Sequence, residues 1–491
     1  MKNFQKYLYI LSIGVISACQ YEFPEVPVIE PGPGAADFSK VVSVGDAMTA
    51  GFMDGALYNR GQQNSFANIL AGQMALAGGG DFNLPDIESQ NGFFGMGPGG
   101  VPLGRLILTV NPTTGATAPA PIGVGELPAP FTGDKTALNN FGVPNITLGL
   151  ALIPQTGGPN VPQNPAYNPF YARFASNPGT STIIGDAAAA LANGGTFFTF
   201  WLGGSDVLGY AAGGAADPSL LTSDADFQAR LTVALGSMLQ ANPEAKGVVA
   251  NIPALDVLPY FNLVPWNALP LSEAQANQAN GAYAPYNQGL AALQAAQIIT
   301  QEERELRTIV FQAGQNGFVL EDETLTNLTG QGLPSIRQSK NFDKATLTLS
   351  QALGQPVGGN PALIRGISFP VEDQFVLIPS EQDEIRTKIS TFNGIIASAV
   401  QANGERLVLA DVEQLLDDVA AGRVNSGGVT LTASIIPPNG GFSVDGVHPN
   451  GRAHAFVANE MIRVINDKWQ ANIPRVNPNA YVGNDLPVGG N

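Results

Sequence analysis

Lys40-Val41-Val42-Ser43-Val44-Gly45-Asp46-Ala47-Met48-Thr49-Ala50-Gly51 decides the fold. Its first half is a short β-branched run, and Gly45-Asp46 ends it, so it reads as a strand running into a loop. The same unit returns downstream. Ser65 to Ala77 has helical character, and Thr196 to Trp201 is a second strand that stops at glycines. Ser223 with Asp226 starts a helix whose Phe227, Leu231, Leu235 and Met238 share one face. Gly247 to Ile252 is a third strand. Ser380 with Asp383 opens a helix striped by Ile385, Ile389, Phe392, Ile396 and Val400, and Arg406 to Ala410 follows as a strand. Alternation of this kind predicts a parallel sheet with helices on both faces. The stripes are core.

Between these units lie stretches rich in Gly, Pro, Asn and Ala, which read as insertions over about 78–132, 153–178 and 254–369. The last has helical character from Glu273 to Arg307. Long loops in a compact domain are usually lids, binding surfaces or docking sites. The domain is expected over 38–470, with a tail at 471–491.

In parallel α/β sheets, ligands bind beyond the carboxyl ends of the strands. Four segments fall there. Val44-Gly45-Asp46-Ala47-Met48-Thr49-Ala50-Gly51 resembles the first block of SGNH/GDSL hydrolases, whose serine follows Gly-Asp or Gly-Asn. Asp54-Gly55-Ala56-Leu57-Tyr58-Asn59 resembles the lipoprotein branch of that family. Asn139-Asn140-Phe141-Gly142-Val143-Pro144-Asn145 is similar to the second block, with Asn145 where relatives commonly carry a glycine that donates its N–H to the oxyanion. Gly203-Gly204-Ser205-Asp206 resembles the Gly-X-Asn-Asp block, with Ser205 in place of the asparagine. Asp445-Gly446-Val447-His448-Pro449 matches the Asp-X-X-His block without change.

The resemblance implies an SGNH-hydrolase-like (flavodoxin-like) three-layer α/β/α fold, with Asp445 orienting His448 as proton shuttle. It assigns the oxyanion-hole positions to Ala47, Asn145 and Ser205. The same resemblance puts alanine where the nucleophile belongs. Ala47 has no side-chain oxygen, so the covalent route through that position is closed. Loss of a triad member leaves roughly 10³–10⁴-fold catalysis over water in favourable cases, and here a side-chain donor of the oxyanion hole is altered too. The expectation is an impaired, pseudoenzyme domain that keeps its cleft for binding. The alternatives are an ester hydrolase with a relocated nucleophile, Ser205 before Thr49 or Ser43, and a structural surface protein in which Asp445 and His448 pin a loop. His454 and Trp201 read as packing residues.

The amino terminus reads as an address. Lys2 and Lys6 precede the apolar run Tyr7 to Ile16, too short for a permanent membrane span. Ile16-Ser17-Ala18-Cys19 then resembles a bacterial lipobox, which implies a signal peptide over 1–18 and lipidation of Cys19. The sole cysteine of the chain sits at that position. Gln20 after it implies the outer membrane, on its periplasmic or cell-surface face, and 19–37 reads as the lipidated residue and a tether.

Composition narrows the partners. The net charge is −17, from 40 acidic and 23 basic side chains, and removal of Lys2 and Lys6 with the leader takes it to −19. Such a surface repels phosphate backbones, so nucleic acid is not expected. One cysteine allows no intrachain disulfide, and two histidines without metal-ligand spacing point to no metal and no cofactor. The expected partners are the membrane through the lipid, an acyl or glycan ligand, and an outer-membrane transporter.

Overall fold

The computed structural model describes residues 30–110, 115, 117–426 and 428–489. The leader and Cys19 lie outside the described residues, as does most of the tether. Five strands form the central sheet: β1 (Val41–Gly45), β2 (Asn140–Gly142), β3 (Phe197–Trp201), β4 (Lys246–Ala250) and β5 (Leu407–Ala410). They pair in the order β5-β4-β3-β1-β2, every pair parallel. The register sets Val44 beside Phe200 on one side and Phe141 on the other.

Alternation along each strand feeds two separate cores. Val42, Val44, Phe198, Phe200 and Val249 enter one. Helices α3 (Ile183–Ala192), α5 (Asp224–Ala241) and α7 (Pro379–Ala402) cover it. Val41, Phe197, Trp201 and Val248 enter the other, beneath α2 (Phe66–Leu76) and α9 (Gly451–Trp469). A parallel sheet flanked by helices is therefore the architecture.

The apolar stripes read from the sequence are the faces these helices bury. Phe227, Leu231, Leu235 and Met238 of α5 are buried, and Ser223 Oγ accepts from Asp226 N at 3.1 Å to cap the helix. Across the contact with α7, the Phe227 and Phe392 rings stack at 3.7 Å. Helix α7 departs from expectation at its start. It begins at Pro379 rather than at a Ser380 cap, and Glu381 reaches back to accept from Ile378 N at 2.7 Å. Proline is preorganised for the first helical position and needs no N–H there.

The insertions carry structure of their own. Residues from Val264 to Ile378 enclose a third core around α6 (Glu273–Ala295) and residues Gln301–Arg307, with Leu290, Ile309, Phe318 and Leu320 at its centre. Within it, Arg337 is buried and bridges Asp322 and Asp343 at 2.6 Å each. In the first insertion, Leu106–Val110 pairs with Thr117–Pro121, and Val488–Gly489 from the C-terminal segment adds alongside in parallel. That segment is further tied down by Asp485, 2.9 Å from Arg60. No described helix is long and apolar enough to cross a membrane.

Candidate functional site

Two glycines let the first turn sit on the sheet edge. Short α1 (Ala47–Ala50) follows β1 directly, and a Cβ on Gly45 would lie 2.0 Å from Thr49 Oγ1. One on Gly142 would lie 2.3 Å from the Ala50 nitrogen. Asp46 caps the turn by accepting from Met48 N at 3.1 Å. Ala47 is thereby fixed at the carboxyl end of β1.

The other segments converge on it from neighbouring strands. Beyond β2, Asn145 has φ +58°, the left-handed conformation that suits glycine and that asparagine tolerates better than most residues. Beyond β3, Gly203 (φ +117°) turns the chain so that Ser205 opens α4 (Ser205–Ala212). The N–H groups of Ala47 and Asn145 donate to no protein acceptor among the described residues. Ahead of α9, Asp445 and His448 share one turn.

That turn is built around the Asp445 carboxylate. Oδ1 accepts from the Val447 and His448 amides at 2.8 and 2.9 Å. Oδ2 faces His448 Nδ1 at 3.0 Å and also accepts from Gly55 N at 2.8 Å. Asp54, beyond α1, secures the same loop: its carboxylate accepts from Val444 N at 2.9 Å and from the Tyr58 hydroxyl at 2.6 Å. Its own N–H donates to Ser443 Oγ at 2.9 Å. Phe52 lies against the imidazole, with ring centroids 5.0 Å apart.

The electrostatics follow from burial and pairing. Burial alone would push the Asp445 carboxyl up, but the charge and hydrogen bonds of His448 hold it down at about 2. For His448, burial opposes protonation, yet Asp445, Asp46 and Asp54 together raise the imidazole above its ordinary value. Asp46 moves the other way from Asp445. Burial pushes its carboxyl up to about 6, against the pull of the Met48 amide and His448.

These residues open on one cleft, lined by Ala47, Asn145, Ser205 and His448. Asp445 stands behind His448 and does not line it. Apolar side chains form the walls, with Ile252, Leu255 and Leu258 on one side and Leu415, Leu416 and Val419 of α8 (Val412–Ala420) on another. Trp201 packs against Phe66 at 5.2 Å between centroids, as expected of a core residue, and also borders the cleft.

No hydroxyl completes a triad. The His448 ring makes no hydrogen bond with any of the three candidates, and its one bond among the described residues is that to Asp445. Ser43 and Thr49 are fully buried, and neither hydroxyl has a partner. His454 is buried in the second core, where its Nδ1 accepts from Phe66 N at 3.2 Å and burial lowers its pKa to about 3.

No family model matches the chain. No curated protein and no solved structure matches it either.

Three parts of the site escaped the sequence reading. The α8 wall had a usable signal, because Val412, Leu415, Leu416 and Val419 repeat at helical spacing. Asp54 lay inside a quoted segment, but its partner Val444 is 390 residues away in the chain. Asp46 had no signal beyond its place before Ala47. One acidic group, Glu323, Asp373 and Glu381, clusters closely enough to hold an ion, but none of the three lines the cleft.

Proposed function

We propose that this chain is an outer-membrane-type lipoprotein whose SGNH/GDSL-hydrolase-like domain has lost its nucleophile and retains the cleft to hold an acyl-type ligand. One observation carries the reading: Ala47, Asn145, Ser205 and His448, taken from four distant segments, line the same apolar cleft. The flavodoxin-like strand order supports it, since β1 and β3 flank the point where the connections reverse direction. The left-handed backbone of Asn145 supports it as well, because that conformation suits the glycine which the resemblance implies at this position.

The chemistry of the cleft matches such a role. Apolar walls take a hydrocarbon chain, while the Ala47 and Asn145 amides can donate to a carbonyl or carboxyl oxygen at its end. With no hydroxyl on His448, the group that would attack that carbonyl is missing. Ligand is held and not turned over.

Calorimetric titration of the chain from Gln20 onward with octanoate, dodecanoate and their methyl esters tests this reading. Saturable binding that Val419→Trp abolishes is the expected result. Absence of binding by every chain length would contradict it.

A further inference from the structure

We infer a second binding site, for a neutral oligosaccharide, on the insertion that surrounds the third core. A depression open to solvent is lined there by Trp266, Gln312, Gln315 and Lys340 above a floor of Asn316, Gln338 and Ser339. This site is separate from the acyl cleft and rests on none of the residues that form it.

The floor side chains are hydrogen-bonded within the protein. Asn316 bonds the Gln312 and Gly314 backbone, while Gln338 accepts from Val310 N at 2.9 Å and donates to Gly317 O at 3.0 Å. Ser339 Oγ donates to the Trp266 carbonyl at 2.6 Å and accepts from Phe318 N at 2.9 Å, which fixes the tryptophan backbone. The rim is the opposite. The side chains of Trp266, Gln312, Gln315 and Lys340 make no hydrogen bond to protein among the described residues. A preorganised floor beneath free polar groups is what a ligand site needs.

The donor set selects the ligand class. An indole offers a flat apolar face with one N–H at its edge. Two primary amides each provide donors and an acceptor, and an ammonium provides three donors. A sugar ring presents the complement, a C–H face for stacking and hydroxyls that donate and accept around its rim. The depression is open to solvent and admits such a ligand from one side.

Trp266 also supplies the readout. It is 38% exposed, while Trp201 and Trp469, the other two tryptophans, are 2% and 4% exposed. Acrylamide quenching of the chain from Gln20 to Asn491, which keeps every described residue, therefore reports on this site. The probes are cellohexaose, laminarihexaose, maltohexaose and N-acetylchitohexaose. At least one should shield Trp266 from quenching in a saturable way. Calorimetry with the same sugar should show affinity falling about 10-fold or more for Trp266→Ala, and falling also for Gln315→Ala, with the thermal midpoints unchanged. Failure of all four sugars to shield Trp266 would overturn the proposal. So would binding that persists in both variants.

Discussion

Asp445 Oδ2 lies 3.0 Å from His448 Nδ1, and the same oxygen accepts from the Gly55 amide at 2.8 Å. The carboxylate thus holds the imidazole and is itself held by the turn that follows β1. This geometry can orient a proton-transferring histidine, and the residue beside it, Ala47, offers no proton to transfer.

The pair sets a pH signature. Asp445, Asp46 and Asp54 all face His448, with neutral His454 behind, and their combined field raises its pKa above the ordinary 6.5. The stability that His448 gains from protonation is complete below the unfolded value and is lost as pH rises through the folded one. His454 has the opposite sign: its contribution is intact above 6.5 and declines as pH falls towards about 3. NMR titration of the two imidazoles should separate them, and Asp445→Asn should shift only the His448 curve downward.

Asp54 acts on the same loop from a distance. Its carboxylate accepts from Val444 N and the Tyr58 hydroxyl while buried. Asp54→Ala leaves both donors without their acceptor, at a cost of about 2–3 kcal/mol in urea unfolding. It should also lower the His448 pKa, because the Asp54 charge is one of those that raise it. An unchanged titration would contradict that electrostatic contribution.

In the insertion, Arg337 neutralises two buried carboxylates, Asp322 and Asp343. Arg337→Met should cost about 3–5 kcal/mol, because breaking a buried pair leaves charge uncompensated. Chemical denaturation of the variant checks this, and a loss below about 1 kcal/mol would contradict it.

Glu381 behaves differently, because burial raises its carboxyl to about 8, with Asp373 and Glu323 adding repulsion. A raised acid destabilises the fold as pH climbs from the unfolded value of 4.5 through the folded one. Glu381→Gln keeps an acceptor for Ile378 N and should stabilise the protein at pH 8, on the order of 2 kcal/mol, while leaving it unchanged at pH 4.

The elements readable in advance were those with a local signal. β1 with its Gly-Asp stop, the α5 stripe from Phe227 and the α7 stripe from Ile385 all follow from residues close in sequence. The third core did not. It is assembled from strands such as Val319–Glu321 and Ile336–Gln338, three residues each, which are too short to show a period. Their glycine- and asparagine-rich surroundings read as loop. At the site, residue types marked Asp445, His448 and Ala47, whereas the left-handed backbone at Asn145 is a property of conformation. The cleft walls come from the segment after β4, from α8 and from the approach to α9 together, a grouping that only the folded chain creates.

Hydrolysis of p-nitrophenyl butyrate and octanoate by the native chain and by Ala47→Ser tests the central claim most directly. The native chain should be silent, and Ala47→Ser should turn over at least about 100-fold faster, with that gain erased by His448→Ala. Turnover by the native chain that depends on His448 would contradict the account and move attention to Ser205.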